Sequence, residues 1–154
     1  MRVVFDTNIW IDWFYFDDIN IKPLKALKKK QHIEIVIDDQ CLEEAVAVLR
    51  YSRFLGQNIK ESIIENDIKA LCTFVDTPTI ENPKYWCKDP DDIKFLNLAG
   101  QHSIKYLITK DLDLLRKKNR RALRNHKISF ATVNPNSFVK KLLAAAYSSR
   151  CVYY

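Results

Sequence analysis

Four acidic clusters punctuate the chain: Asp6, Glu43/Glu44, Asp89/Asp91/Asp92 and Asp111/Asp113. Each stands beside a stretch that reads as a strand end or a helix start. Carboxylates gathered within a few ångströms repel one another until a proton or a cation relieves them. Oxygen donors suit a hard divalent ion, magnesium or manganese, which bridges phosphate oxygens and lowers the pKa of a bound water for in-line attack. No protein nucleophile is then required. Any one of these acids alone reads equally well as a helix cap or a solvated charge; the set of four, Asp6, Glu44, Asp92 and Asp111, points to chemistry.

The elements that must position them are visible as patterns. Arg2-Val3-Val4-Phe5 reads as a short buried strand that ends by presenting Asp6, Thr7 and Asn8, and in an open α/β sheet ligands sit outside the carboxyl ends of the strands. Residues 33–37 are β-branched and read as a second strand, after a helix over 23–31. Asp38 or Asp39 can cap the next helix, which carries Glu44 and repeats Leu42, Ala45, Val46, Val48 and Leu49 at helical spacing. Asn58 and Glu61 resemble a capping box, with Ile64, Ile68, Leu71, Cys72 and Val75 on one face of the helix that follows. An irregular, proline-marked connection from 77 to 90 leads to a helix in which Asp92 precedes Phe95, Leu96 and Ala99 on the core-facing side. Residues 106–109 read as a strand, 112–123 as helical turns, 128–133 as a last strand, and Asn134-Pro135 as a helix start. Strands alternating with helices predict a parallel sheet covered on both faces.

A chain of 154 residues, 47% hydrophobic, fits one domain, expected over 1–147 with a loose tail over 148–154. The formal charge of +6 around acidic clusters suits a polyanion held over a metal site. Only Gly56 and Gly100 occur, so a glycine-rich phosphate loop is absent. Cys41, Cys72, Cys87 and Cys151 lack CxxC spacing and are expected to be reduced packing residues. His32, His102 and His126 fall outside the acidic motifs, which argues against a histidine general base. Neither a signal peptide nor a membrane span is apparent, so a cytoplasmic protein is expected.

The strings VVFDTNIW, CLEEAVAVLRYSRF, KDPDDIKFLNLAG and YLITKDLDLL, in this order and spacing, resemble the PIN-domain family, in particular its branch of toxin components related to VapC. The resemblance runs from Arg2 to about Val133. It implies a Rossmann-like, three-layer α/β fold with a central parallel sheet of four to five strands flanked by helices. It further implies a magnesium- or manganese-dependent endoribonuclease, the toxin of a type II toxin–antitoxin pair, with an RNA substrate, a cognate antitoxin and a homodimer. Carried over residue by residue, it assigns the metal-holding acids to Asp6, Glu44, Asp92 and Asp111, with Glu43, Asp89 and Asp91 as neighbours in other roles. Thr7, Asn8, Thr109 and Asp113 would support them. Asp38-Asp39 stands where relatives often carry a small hydroxyl residue, and Lys110 replaces a commonly small one.

Behind the fourth acid, Arg116, Lys117, Lys118, Arg120, Arg121, Arg124 and Lys127 crowd together. With Lys110 they are candidate phosphate contacts, giving salt-sensitive, largely sequence-independent RNA affinity; a solvated face or a surface for an acidic antitoxin segment is the alternative. Tyr85, Trp86 and the aromatic run from Trp10 to Phe16 can stack on bases, or fill a core or dimer face. Two other readings compete: a catalytically silent RNA-binding module, and a phospho-acceptor receiver, which the Asp38-Asp39 pair before a Glu-bearing helix fits poorly.

Overall fold

The computed structural model describes residues 1–16, 18–51, 61–79, 87–116 and 129–150. Five strands form one sheet in the order β3-β2-β1-β4-β5, every neighbouring pair parallel. They are β1 (Arg2–Phe5), β2 (Glu34–Ile37), β3 (Cys72–Phe74), β4 (Tyr106–Ile108) and β5 (Ala131–Val133). The helices flanking them are α1 (Thr7–Phe14), α2 (Lys22–Lys29), α3 (Asp39–Tyr51), α4 (Glu61–Leu71), α5 (Ile93–Gln101), α6 (Leu112–Leu115) and α7 (Pro135–Arg150), with a 3-10 turn over Pro90–Asp92. This is the expected α/β sheet with five strands.

Val3, Val4, Phe5, Ile35, Val36, Ile37, Leu107 and Ile108 are all buried. Such continuous apolar runs, without polar alternation, are what a strand covered on both faces requires. Between β1 and β4 the strand order reverses, so the loops leaving their carboxyl ends diverge and open a crevice. Asp6 follows β1 and Asp111 follows β4, so the reversal places both at this crevice.

The aromatic run from Trp10 to Tyr15 resolves into packing, while Phe16 is exposed. Trp10 is buried against Phe5, with ring centroids 5.3 Å apart, and Phe14 stacks on it at 6.1 Å. The Tyr15 hydroxyl donates to the Leu49 carbonyl at 3.2 Å, tying α1 to α3. Asp38 rather than Asp39 caps α3, its Oδ1 accepting from the Cys41 amide at 2.9 Å while the side chain is buried. Asp38→Ala should therefore lower stability by about 1 kcal/mol, read as a fall in the denaturant midpoint at unchanged slope; an unaltered midpoint would remove the capping role.

Two expectations are corrected. Cys72 does not extend the inward face of α4: the helix ends at Leu71, and Cys72–Phe74 form the edge strand β3, pairing Ile35 with Cys72 and Ile37 with Phe74, while Val75 lies beyond it. A three-residue strand whose Thr73 and Phe74 are both exposed carries neither an apolar run nor an alternation to read. At the other end, α7 continues through Ser148 and Ser149 to Arg150 where a loose tail was expected, because the backbone keeps its helical ladder past the apolar stretch. Among the described residues, no helix is long and apolar enough to cross a membrane.

Candidate active site

Asp6 is the N-cap of α1, in extended conformation, and its Oδ1 accepts from the Thr7 amide at 2.6 Å. Its Oδ2 accepts from the Asn8 side-chain amide at 2.5 Å and from the Thr109 hydroxyl. The carboxyl is buried, and burial, partly offset by the bonds from Thr109 and Thr7 and reinforced by the negative charges of Glu44 and Asp111, raises its pKa from 3.8 to about 6.

Asp92 closes the 3-10 turn that leads into α5, while Asp89 caps that turn by accepting from the Asp91 amide at 3.0 Å. Burial first, then the charges of Asp6 and Asp111, a hydrogen bond shared with Asp111 and the charge of Asp89 raise the Asp92 pKa from 3.8 to about 7. The Cys87 thiol lies 3.8 Å from its Oδ2. Asp111 caps α6 through the Asp113 amide at 2.7 Å, and its own amide donates to the Thr109 hydroxyl at 2.9 Å. Three acids from the ends of β1 and β4 and the start of α5 thus sense one another's charge.

Glu44 joins them differently. Its Oε1 accepts from the Thr7 hydroxyl at 2.5 Å and its Oε2 is ion-paired with Lys94, whose side chain is 19% exposed. Burial pulls the Lys94 pKa down, but the hydrogen bond and charge of Glu44 outweigh it and leave the ammonium above its usual value. Lys94 was not among the residues singled out from sequence. It lies two positions after Asp92, a spacing that carries no signal by itself, and only the packing of α5 against α3 brings it to Glu44.

Thr7, Asn8 and Thr109 form the web around these acids. The Asn8 side-chain amide reaches the Thr109 hydroxyl at 3.3 Å, and its Oδ1 accepts from the Lys110 amide at 3.0 Å, joining the two strand ends across the crevice. Asp113 stands apart, paired with Arg116 at 2.9 Å and Lys88 at 3.7 Å. The Lys110 ammonium is held by Asp12 and, at 2.5 Å, by Asp18, neither of which was singled out from sequence. Lys117, Lys118, Arg120, Arg121, Arg124 and Lys127, like Tyr85, Trp86, His126 and Cys151, lie outside the described residues. Burial holds the Cys41 thiol above its usual range and pushes Cys72 and Cys87 up to about 12 and about 11, so none of these is a ready thiolate nucleophile.

Among the described residues, no three or more His, Cys, Asp or Glu side chains are arranged so that they could together hold a metal ion. The donor set nevertheless fits a hard cation. Asp6, Asp92 and Asp111 offer only oxygens, and burial first, then repulsion among them, raises the pKa values of Asp6 and Asp92, a cost to their charged forms that a divalent ion relieves. Thr109→Val keeps the shape but removes the hydroxyl that serves both Asp6 and the Asp111 amide. It should lower stability by about 1–3 kcal/mol and any metal-dependent activity by roughly 10–100-fold; wild-type values of both in thermal unfolding and rate assays would contradict that role.

A parallel α/β sheet with carboxylates gathered where its strand order reverses defines a class of acid-centred, Rossmann-like proteins. A model of the PIN domain matches residues 2–113, and the chain belongs to that family. PIN domains are generally nucleases, acting on RNA or DNA with divalent metal ions. No curated protein and no solved structure matches the chain.

Proposed function

We propose that this chain is a magnesium- or manganese-dependent endoribonuclease, the toxin of a type II toxin–antitoxin pair that works as a homodimer. The observation that carries the nuclease reading is the shared charge of Asp6, Asp92 and Asp111 at the crevice, with Asp6 and Asp92 raised by burial and by their neighbours. These three acids would hold the metal, and Glu44, locked between Thr7 and Lys94, would brace the site from the α3 side. When bound, the ion would supply an acidified water and charge stabilisation at the phosphodiester.

The remaining work falls to the chain. Thr109 and Asn8 orient Asp6; Asp89 fixes the turn that aims Asp92; the Lys110 amide, held by Asn8, sets the path of the strand before Asp111. The run of cationic residues from Arg116 to Lys127 in the sequence supports an RNA rather than a small-molecule substrate, and its charge suits an acidic antitoxin segment. The test is incubation of total RNA with the purified protein and sequencing of the new ends. Cleavage should require magnesium or manganese; cleavage in excess chelator would sink the reading. The silent-module alternative draws on one observation, Lys94 already neutralising Glu44, and intact RNA that is bound but never cut in either metal would favour it.

A further inference from the structure

Beside Asp111 in sequence, a groove of about 230 Å³ is lined by residues that follow β4 and β5. Lys110 and Leu112, the residues flanking Asp111 in sequence, line it together with Leu115, Asn20, Asn134, Pro135 and Asn136. Leu112 is 76% exposed, a large apolar side chain that the core does not use.

The polar groups of the groove are amides in complementary states. Asn134 spends its Oδ1 on the Ser137 amide at 2.8 Å, which leaves its NH2 as a donor. Asn20 spends its NH2 on Asp18 at 2.9 Å, which leaves its carbonyl oxygen as an acceptor. The exposed Asn136 amide has no partner among the described residues and offers both. Among the described residues of the lining, the one cation, Lys110, is paired with Asp12 and Asp18, so these residues offer a phosphate no free positive charge. Paired amide donors and acceptors above exposed leucine match the edge and face of a heterocyclic base.

The geometry points to a nucleobase pocket: the groove lined by Leu112, Asn20, Asn134 and Asn136 receives one unstacked base of the strand whose neighbouring phosphate lies over Asp111, and so selects the residue beside the cut. This deepens the nuclease reading and rests on it for the position of the phosphate.

Two measurements test it on the full chain. In the first, the side-chain amide signals of Asn134 and Asn136 are followed in isotope-labelled, metal-free protein while each nucleoside 5′-monophosphate, or ribose 5-phosphate, is added. At least one nucleotide should shift both signals and ribose 5-phosphate should not. Equal shifts with ribose 5-phosphate, or none with any nucleotide, overturn the pocket. In the second, Asn134→Ser, which retains a helix-capping oxygen, is combined with Asn136→Ala, and the cleaved ends are sequenced. The base bias at one position beside the cut should fall about tenfold, the worth of one ordinary net hydrogen bond, with the thermal midpoint close to wild type. A wild-type bias in the variant overturns the pocket while the nuclease reading stands. Base-dependent shifts in a protein that cuts no RNA retain the pocket and overturn the nuclease reading.

Discussion

Asp92→Asn is expected to lower RNA cleavage by roughly 10²–10³-fold, the order of loss when one electrostatic stabiliser of a reacting centre is removed, without lowering the thermal midpoint. The Asp92 side chain makes no cap bond to α5, and Asp89 performs the capping of its turn. Its ionised form is disfavoured by burial and by Asp6 and Asp111, so a neutral amide of the same shape relieves repulsion. Asp6→Asn should lose cleavage to a similar extent, and asparagine keeps a helix-capping oxygen at that position. Glu43→Gln is the matched control, since that side chain is exposed and bonded to none of the four acids. A cleavage rate within wild-type scatter for Asp92→Asn, or an equal loss for Glu43→Gln, would remove the acids from the chemistry.

In metal-free protein, stability should fall as the pH rises from about 4 to about 7. Asp6 and Asp92 titrate at about 6 and about 7 in the fold against an ordinary 3.8, so across that window the folded chain holds protons that the unfolded chain has released. Fewer protons in the unfolded state means stability declines with pH; below the ordinary carboxylate value both states are protonated and the dependence ends. Buried Asp6 alone accounts for at most about 3 kcal/mol, or ~5–10 °C in midpoint for a chain of this size. Asp92, more open to solvent, adds less. Magnesium or manganese should reverse the trend, because the cation displaces the protons and binds best above pH 7. At a hundredfold excess over its dissociation constant it should contribute about 2.7 kcal/mol. The comparison is differential scanning of wild type and an Asp6→Asn, Asp92→Asn double variant across pH, with and without metal. A wild-type profile parallel to the variant's would refute the linkage.

How far the sequence carries the site depends on where each signal lies. Phe5-Asp6 and Thr109-Lys110-Asp111 are legible because an apolar strand stops on a polar group, and Asp92 because Phe95, Leu96 and Ala99 fix its helix face. Asp38 and Asp39 are equivalent as letters; only the fold chooses Asp38 as the cap. Lys94 reads as one more solvated lysine until α5 is packed, and its partner Glu44 lies fifty residues earlier. The Lys110 clamp joins residues separated by more than ninety positions, so a lysine that suggested phosphate binding is found in the grip of Asp12 and Asp18. Strand β3 escaped because its three residues lie at a sheet edge, half exposed, directly against the end of α4. Burial-dependent roles of this kind are set by tertiary contacts, which local pattern does not encode.

Asp6 is at once the first polar group beyond β1, the cap of α1 and a carboxylate at the strand reversal. Its main-chain oxygen also accepts from the Ile9 amide at 2.9 Å. Initiation of the helix and assembly of the acid pocket are therefore one event. The amides of Thr7 and Ile9 should exchange their hydrogens in step, slowed together by whatever ion or proton settles on Asp6, so that two backbone signals report occupancy of a centre made of side chains.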